Sequence, residues 1–245
     1  INKGQSPFFE NGLDKLLSEV GGKTLIATND YDDAISKSNL TYILTATPSN
    51  QDGSFSNEQI ESALISSSKA LKKSNKNEHV FVISSTVMPG SIEKSFIPLI
   101  EQYSGLKLGE GFHIVYCPDF AAIGEIINGF TNPDFILIGE SSEKAGLIVE
   151  QIHHIITENN PHIKRMSLAS AEIAKVSLNA YLTMKISFAN NLANISEKVP
   201  GANIDDITSS LGLDKRISPY YLKGGMSFGG TCFPRDTYAF NKLSR

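Results

Sequence analysis

At 245 residues, 40% of them hydrophobic, the chain carries enough apolar material for one large or two modest domains. Its formal net charge of −4 argues against nucleic acid or an anionic membrane as the main partner, and no apolar run is long enough to span a bilayer. The two cysteines lie far apart and read as reduced thiols of a cytoplasmic protein rather than as a disulfide framework.

Along the first two thirds, short apolar runs rich in β-branched residues alternate with helix-like stretches. The runs at 24–28, 40–46, 79–84, 112–116 and 135–138 each have the length and composition of a buried strand. Between them, 11–20, 30–38, 57–73, 91–103 and 143–156 carry helical spacing. That alternation predicts an α/β domain over residues 1–165, built as a doubly wound parallel sheet. Ligands of such sheets bind beyond the carboxyl ends of the strands, where Thr47-Pro48, Ser85-Thr86 and Pro118-Asp119 fall. The sequence nowhere contains Gly-x-Gly-x-x-Gly, the fingerprint that seats a pyrophosphate on a helix N-terminus, so the Rossmann-like sheet is expected to be incomplete.

From about Ser167 to Pro200 the pattern becomes one long periodic segment without internal proline or glycine, a helix of about 45 Å at 1.5 Å per residue. Its stripe of Ile173, Val176, Ala180, Met184, Phe188, Leu192 and Ile195 predicts a subunit or domain interface. Residues 166–245 therefore read as a mostly helical second domain, with short helices from Ile204 followed by a glycine loop.

That loop is the most informative stretch of the chain: Gly224-Gly225-Met226-Ser227-Phe228-Gly229-Gly230-Thr231-Cys232-Phe233-Pro234-Arg235-Asp236. Paired glycines let the backbone approach a ligand closely, and a thiol directly after them is presented as a nucleophile. A buried structural cysteine is the competing reading. Asp236, four residues on, favours covalent catalysis, because a carboxylate there can orient the water that hydrolyses a thioester. Lys175 and Asn179 stand one turn apart on the long helix and can converge on one oxygen. Cys117 reads as a core cysteine, and His153 with His154 lacks a third ligand at metal spacing, so no metal site is expected.

The Cys232 loop resembles the active-site motif Gly-Gly-x-Cys-x-Pro-Lys-Asp of the nucleotide-sugar 6-dehydrogenases, with Arg235 in place of Lys. The resemblance extends over nearly the whole chain, through Ser6-Pro7 to Glu10, Gly12-Leu13, Ala46-Thr47-Pro48, Ser85-Thr86-Val87, Tyr116-Cys117-Pro118-Asp119-Phe120, Asn132-Pro133-Asp134 and Lys175 with Asn179. It implies a two-step, four-electron oxidation of a sugar C6 alcohol with NAD as cofactor. UDP-glucose is the expected substrate, and UDP-N-acetylmannosamine or another nucleotide sugar the alternative. By the same resemblance Cys232 is the nucleophile and Lys175 with Asn179 steadies the C6 oxygen. Asp236 with Thr86 positions water, and Asp119 replaces the family's usual Glu in acid/base work. Thr47, Pro48 and Thr86 contact the cofactor, while Phe120, Arg216, Tyr221, Phe228 and Gly229 join Lys175 and Asn179 around the substrate. Arg216 is expected to act in a neighbouring subunit of a homodimer formed through the long helix.

Two features depart from the family. Ile123 stands where a second Glu is usual, with Glu125 two residues later, and Ala121 and Ala122 replace bulkier residues. The resemblance also implies an upstream fingerprint and a downstream nucleotide-binding domain, so the chain reads as the middle of a longer enzyme, inactive by itself. The reading from another class is a non-catalytic relative that retains only dimerisation or sugar-nucleotide contacts.

Overall fold

The computed structural model describes residues 1–121 and 124–244, so two of the departures noted above, Ala122 and Ile123, lie outside the described residues. The chain divides into two compact units, residues 1–47 with 56–172, and 48–55 with 173–245; the division falls inside the longest helix.

The first unit is a five-stranded sheet in the order β1-β2-β3-β4-β5, with β1 at Leu40–Ile43, β2 at Val80–Ile83, β3 at His113–Tyr116, β4 at Phe135–Glu140 and β5 at His162–Ser167. Every residue of β2 and β3 is buried, which is why β2 reads as an unbroken apolar run and β3 as one broken only by His113. Strands β1, β2 and β3 run parallel, as do β4 and β5. The β3–β4 pair is antiparallel, so the sheet is mostly rather than wholly parallel. The helices of this unit are α1 (Leu13–Val20), α2 (Tyr31–Lys37), α3 (Glu58–Ser74), α4 (Ile97–Ser104), α5 (Ile126–Thr131) and α6 (Glu143–Ile156). Asp30 caps α2 by accepting the Asp33 N–H, and Ser142 caps α6 by accepting the Ala145 N–H. Val80, Val82, Val115, Ile136, Ile138 and Val149 form one apolar cluster between the sheet and α6.

The expected strand at 24–28 does not form: Leu25 makes a single bridge to Gly21, and Ile26 is 67% exposed, so the run has β propensity but no ladder to join. Conversely β5 was not expected, because Lys164 and Arg165 interrupt its apolar pattern. It is a half-exposed strand at the end of the strand order, with Arg165 held by Glu140 at 2.8 and 3.1 Å and by Glu150 at 3.2 Å. The helix expected over 91–103 opens with a π turn, Ile92–Phe96, before α4 begins.

The second unit contains most of α7 (Leu168–Ser196), then α8 (Ile204–Gly212) and α9 (Phe233–Leu243). The glycine loop follows the short helix from Ile204, as expected, and leads directly into α9, a helix not foreseen from the sequence. Residues 48–55 make a short turn closed by the Ser49–Phe55 bridge and by the Asn50 N–H to Ser54 carbonyl bond of 2.8 Å. Phe55, Val176, Ala189, Leu222 and Ala239 are its buried apolar residues, and Asp52 pairs with Lys242 of α9. On α7 the centre of the expected stripe, Ile173, Met184, Phe188 and Ile195, is more than half exposed, whereas Val176 on its flank is fully buried.

Candidate active site

In the first unit the carboxyl ends of β1, β2 and β3 share one sheet edge, because these strands are parallel. Adjacent serines stitch them together. Ser85 Oγ accepts the Thr45 N–H at 2.7 Å and donates to the Thr45 carbonyl at 2.8 Å, while Ser84 Oγ donates to the Cys117 carbonyl at 2.8 Å. These bonds fix three neighbouring loops: Thr47 follows β1, Thr86 follows β2, and Pro118-Asp119-Phe120 follows β3. Thr47 is buried, Thr86 and Asp119 are half-buried, and Phe120 packs against Phe135 with ring centroids 4.8 Å apart. Cys117 is buried beside His153 Nε2 at 3.2 Å. Burial, with the Asp119 charge adding to it, pushes the Cys117 thiol up to about 12, so it stays protonated and serves the core.

The second unit presents the other thiol differently. Cys232 is exposed at the N-cap of α9, where the first-turn N–H groups and the positive end of the helix dipole lie. Gly230, two residues earlier, sits at φ 84, a left-handed conformation that a side chain would resist, and Gly229 has open space where a Cβ would be. Pro234 favours the start of α9. The first turn of α9 then places Asp236, only 1% exposed, against α7, where its Oδ2 accepts from Asn179 Nδ2 at 2.6 Å. Its Oδ1 accepts from Arg235 Nε at 3.0 Å. Both carboxylate oxygens are thus engaged, and Asn179 is oriented by an ionic partner. Lys175, one helical turn before Asn179 on α7, is also buried.

Sequence reasoning named Lys175, Asn179, Cys232 and Asp236 without foreseeing what joins them. Arg235, the departure from the family's Lys, stacks its guanidinium 4.6 Å from the centroid of the Phe55 ring while holding Asp236. The only sequence signal was the substitution itself; Phe55 lies 180 positions away. Thr183 and Thr237 add a second polar link between α7 and α9 at 3.1 Å. Tyr221, at φ 60, meets Phe233 edge-on at 6.2 Å, and Phe228 is half-buried beside exposed Gly229. The Arg216 side chain is 88% exposed and clasped by Asp214 at 2.6 Å. Lys185 of α7 holds the adjacent turn through the Ile217 and Ser218 carbonyls at 3.0 and 3.3 Å.

Residues 1–157 match the profile of the UDP-glucose/GDP-mannose dehydrogenase family, NAD binding domain, and residues 169–245 that of the family's central domain. A UDP-glucose 6-dehydrogenase of Haloferax volcanii is 35% identical over 247 residues, covering 100% of this chain and 57% of that protein. A GDP-mannose 6-dehydrogenase of Pseudomonas putida is 32% identical over 242 residues, covering 98% of this chain and 54% of that protein. The solved UDP-glucose dehydrogenase of Pyrobaculum islandicum superposes with a TM-score of 0.88 at 28% identity, over 99% of this chain and 55% of that one. The chain therefore spans about half the length of the relatives it matches. No helix among the described residues is long and apolar enough to cross a membrane.

Proposed function

The chain belongs to the UDP-glucose/GDP-mannose dehydrogenase family, and from that premise we propose that it carries the catalytic residues of an NAD-dependent nucleotide-sugar 6-dehydrogenase acting on UDP-glucose. The observation that carries this reading is the exposed Cys232 at the head of α9, with Asp236 buried one turn on and bonded to Asn179. An ordinary alcohol dehydrogenase needs no such thiol, whereas oxidation to the acid requires the aldehyde to be held covalently and released to water.

The residues at the strand ends fit a nicotinamide nucleotide: Thr47 and Thr86 supply hydroxyls at the sheet edge where doubly wound folds bind dinucleotides. When bound, NAD supplies two hydride acceptances, one per equivalent. The chain's own residues do the rest. Asp119 takes the C6 hydroxyl proton as the first hydride departs; the aldehyde carbon then gains a bond to Cys232 Sγ as its C=O π bond opens onto the C6 oxygen and the thiol proton passes to solvent. Loss of a second hydride from that carbon re-forms the C=O bond and leaves a thioester. Water, placed by Asp236 and Thr86, attacks it; the C–S bond breaks, the carboxylate leaves and the thiol is restored. Lys175 and Asn179 stabilise negative charge on the C6 oxygen throughout, the task of an oxyanion site. By the same reading Phe120, Tyr221, Phe228 and Gly229 each contact the substrate, and Arg216 does so from a second copy. The exposed Ile173, Met184, Phe188 and Ile195 on α7 supply an apolar face for that homodimer.

Supplying the full-length protein with NAD and, in turn, UDP-glucose, GDP-mannose and UDP-N-acetylmannosamine tests the reading. UDP-glucose should give the highest kcat/KM with two NADH formed per sugar. A preference for either rival would move the substrate assignment, and one NADH per sugar would refute the covalent route.

A further inference from the structure

Glu172 is fully buried, is negatively charged when ionised, and takes no part in the steps above. It lies in the first turns of α7, three residues before Lys175. Its Oε2 accepts the Gly90 N–H at 2.6 Å and its Oε1 accepts the Ile92 N–H at 3.1 Å, contacts that cross 82 and 80 residues of sequence.

These two donors belong to the segment that leaves β2 through Ser85-Thr86-Val87 and enters the π turn before α4. Ser91, at the N-cap of that turn, makes no side-chain cap, so donors left over at the helix start need an outside acceptor. Gly90 sits at φ 89, and Ile92 is itself fully buried. A carboxylate is a costly way to satisfy them: burial raises its pKa, the two N–H groups pull it down, Glu93 raises it further and Lys94 lowers it. Capping alone could be met by a neutral side chain. What a carboxylate adds is two acceptors on one rigid plane, which fix positions 90 and 92 together against α7.

We propose that Glu172 is a positioning residue, clamping the turn at Pro89-Gly90, which follows Thr86, onto the start of α7 and thereby setting the cofactor side of the site. The proposal rests on the cofactor role given to Thr86 above. Glu172 touches no reacting atom; it acts through the turn.

The test uses the full-length protein and Glu172→Gln, which keeps the shape but turns one acceptor into a donor facing an N–H. Calorimetry should show the Kd for NAD raised about tenfold, the loss of one hydrogen bond to a charged group, with the Kd for UDP-glucose unchanged within about twofold. An equal rise in both constants, or no rise in either, would overturn the proposal, since a merely structural role predicts no split. Because binding is the readout, failure of the unsubstituted protein to oxidise any nucleotide sugar would refute the functional reading separately. If the variant does not fold, or if NAD binding is too weak to measure, the amide signals of Thr86, Gly90 and Ile92 in the unsubstituted protein decide. They should shift together with pH, with one midpoint above that of a free Glu, and Glu93→Gln should leave the shift in place. Signals that move independently, or whose shared midpoint lies at or below that of a free Glu, would overturn the clamp.

Discussion

Removing the Asp236 carboxyl breaks the junction between α7 and α9, and its cost follows from the geometry. Asp236 is 1% exposed and bonds Asn179 at 2.6 Å, a charge-assisted contact worth about 1.5–3 kcal/mol. Its bond to Arg235 is worth less, about 1 kcal/mol, since that side chain is 25% exposed and keeps its contact with the Phe55 ring. Asp236→Ala should therefore destabilise the protein by about 3 kcal/mol, and Asn179→Ala, which takes one of the buried carboxylate's two partners among the described residues and leaves Arg235, by about 2 kcal/mol. If the two side chains act as one unit, the double variant should lose about 3.5 kcal/mol instead of the additive sum, a coupling of about 1.5 kcal/mol. Urea unfolding of the four proteins with unchanged m-values measures this directly. Additivity within about 0.5 kcal/mol would show that the Asn179–Asp236 bond carries no net energy, and the argument that Asp236 orients Asn179 would fail with it.

Iodoacetamide at pH 8 should alkylate Cys232 and spare Cys117 in the native state, because burial holds the Cys117 thiol near 12; mass spectrometry of the digested protein would read the difference, and equal labelling would contradict the assignment. His79, fully buried with Nε2 2.8 Å from Thr41 Oγ1, has its pKa pushed down to about 4, first by burial and then by Lys76. Its contribution is complete above about pH 6.5 and is lost as pH falls towards 4, a loss of roughly 3 kcal/mol that His79→Gln should abolish in pH-dependent urea unfolding. Gly139→Ala should cost about 1–3 kcal/mol in the same assay, since the new Cβ would stand 2.7 Å from Ala171 Cβ and 3.1 Å from Leu168 Cα; unchanged stability would mean the β4 to α7 packing yields freely.

The features legible from sequence are those encoded by local period or by residue type. The buried strands β2 and β3 read as apolar runs because both faces are covered, and α7 showed itself through 29 residues without a breaker. What escaped was decided by distant partners. Residues 24–28 have a strand's composition, but Leu25 finds only Gly21 across from it, whereas 162–167 lack that composition and still pair with β4 along six residues. Around the site, Asn179 and Asp236 could each be named from their motifs, but their mutual bond spans 57 residues, and the support that Arg235 draws from Phe55 spans 180. Glu172 gave no signal beyond its place three residues before Lys175. Buried carboxylates on helices look in sequence like solvated ones, and only the Gly90 and Ile92 amides reveal the difference.

The central claim is that Cys232 holds the aldehyde covalently. The most direct measurement is the count of NADH formed per UDP-glucose by the full-length protein and by its Cys232→Ala variant. The account predicts two NADH and the uronic acid from the unsubstituted protein. It predicts neither product in the variant, which should still bind UDP-glucose with nearly unchanged Kd because the thiol adds little ground-state affinity. Uronic acid formed by Cys232→Ala at a near wild-type rate would contradict it and leave the glycine loop a substrate-shaping element only.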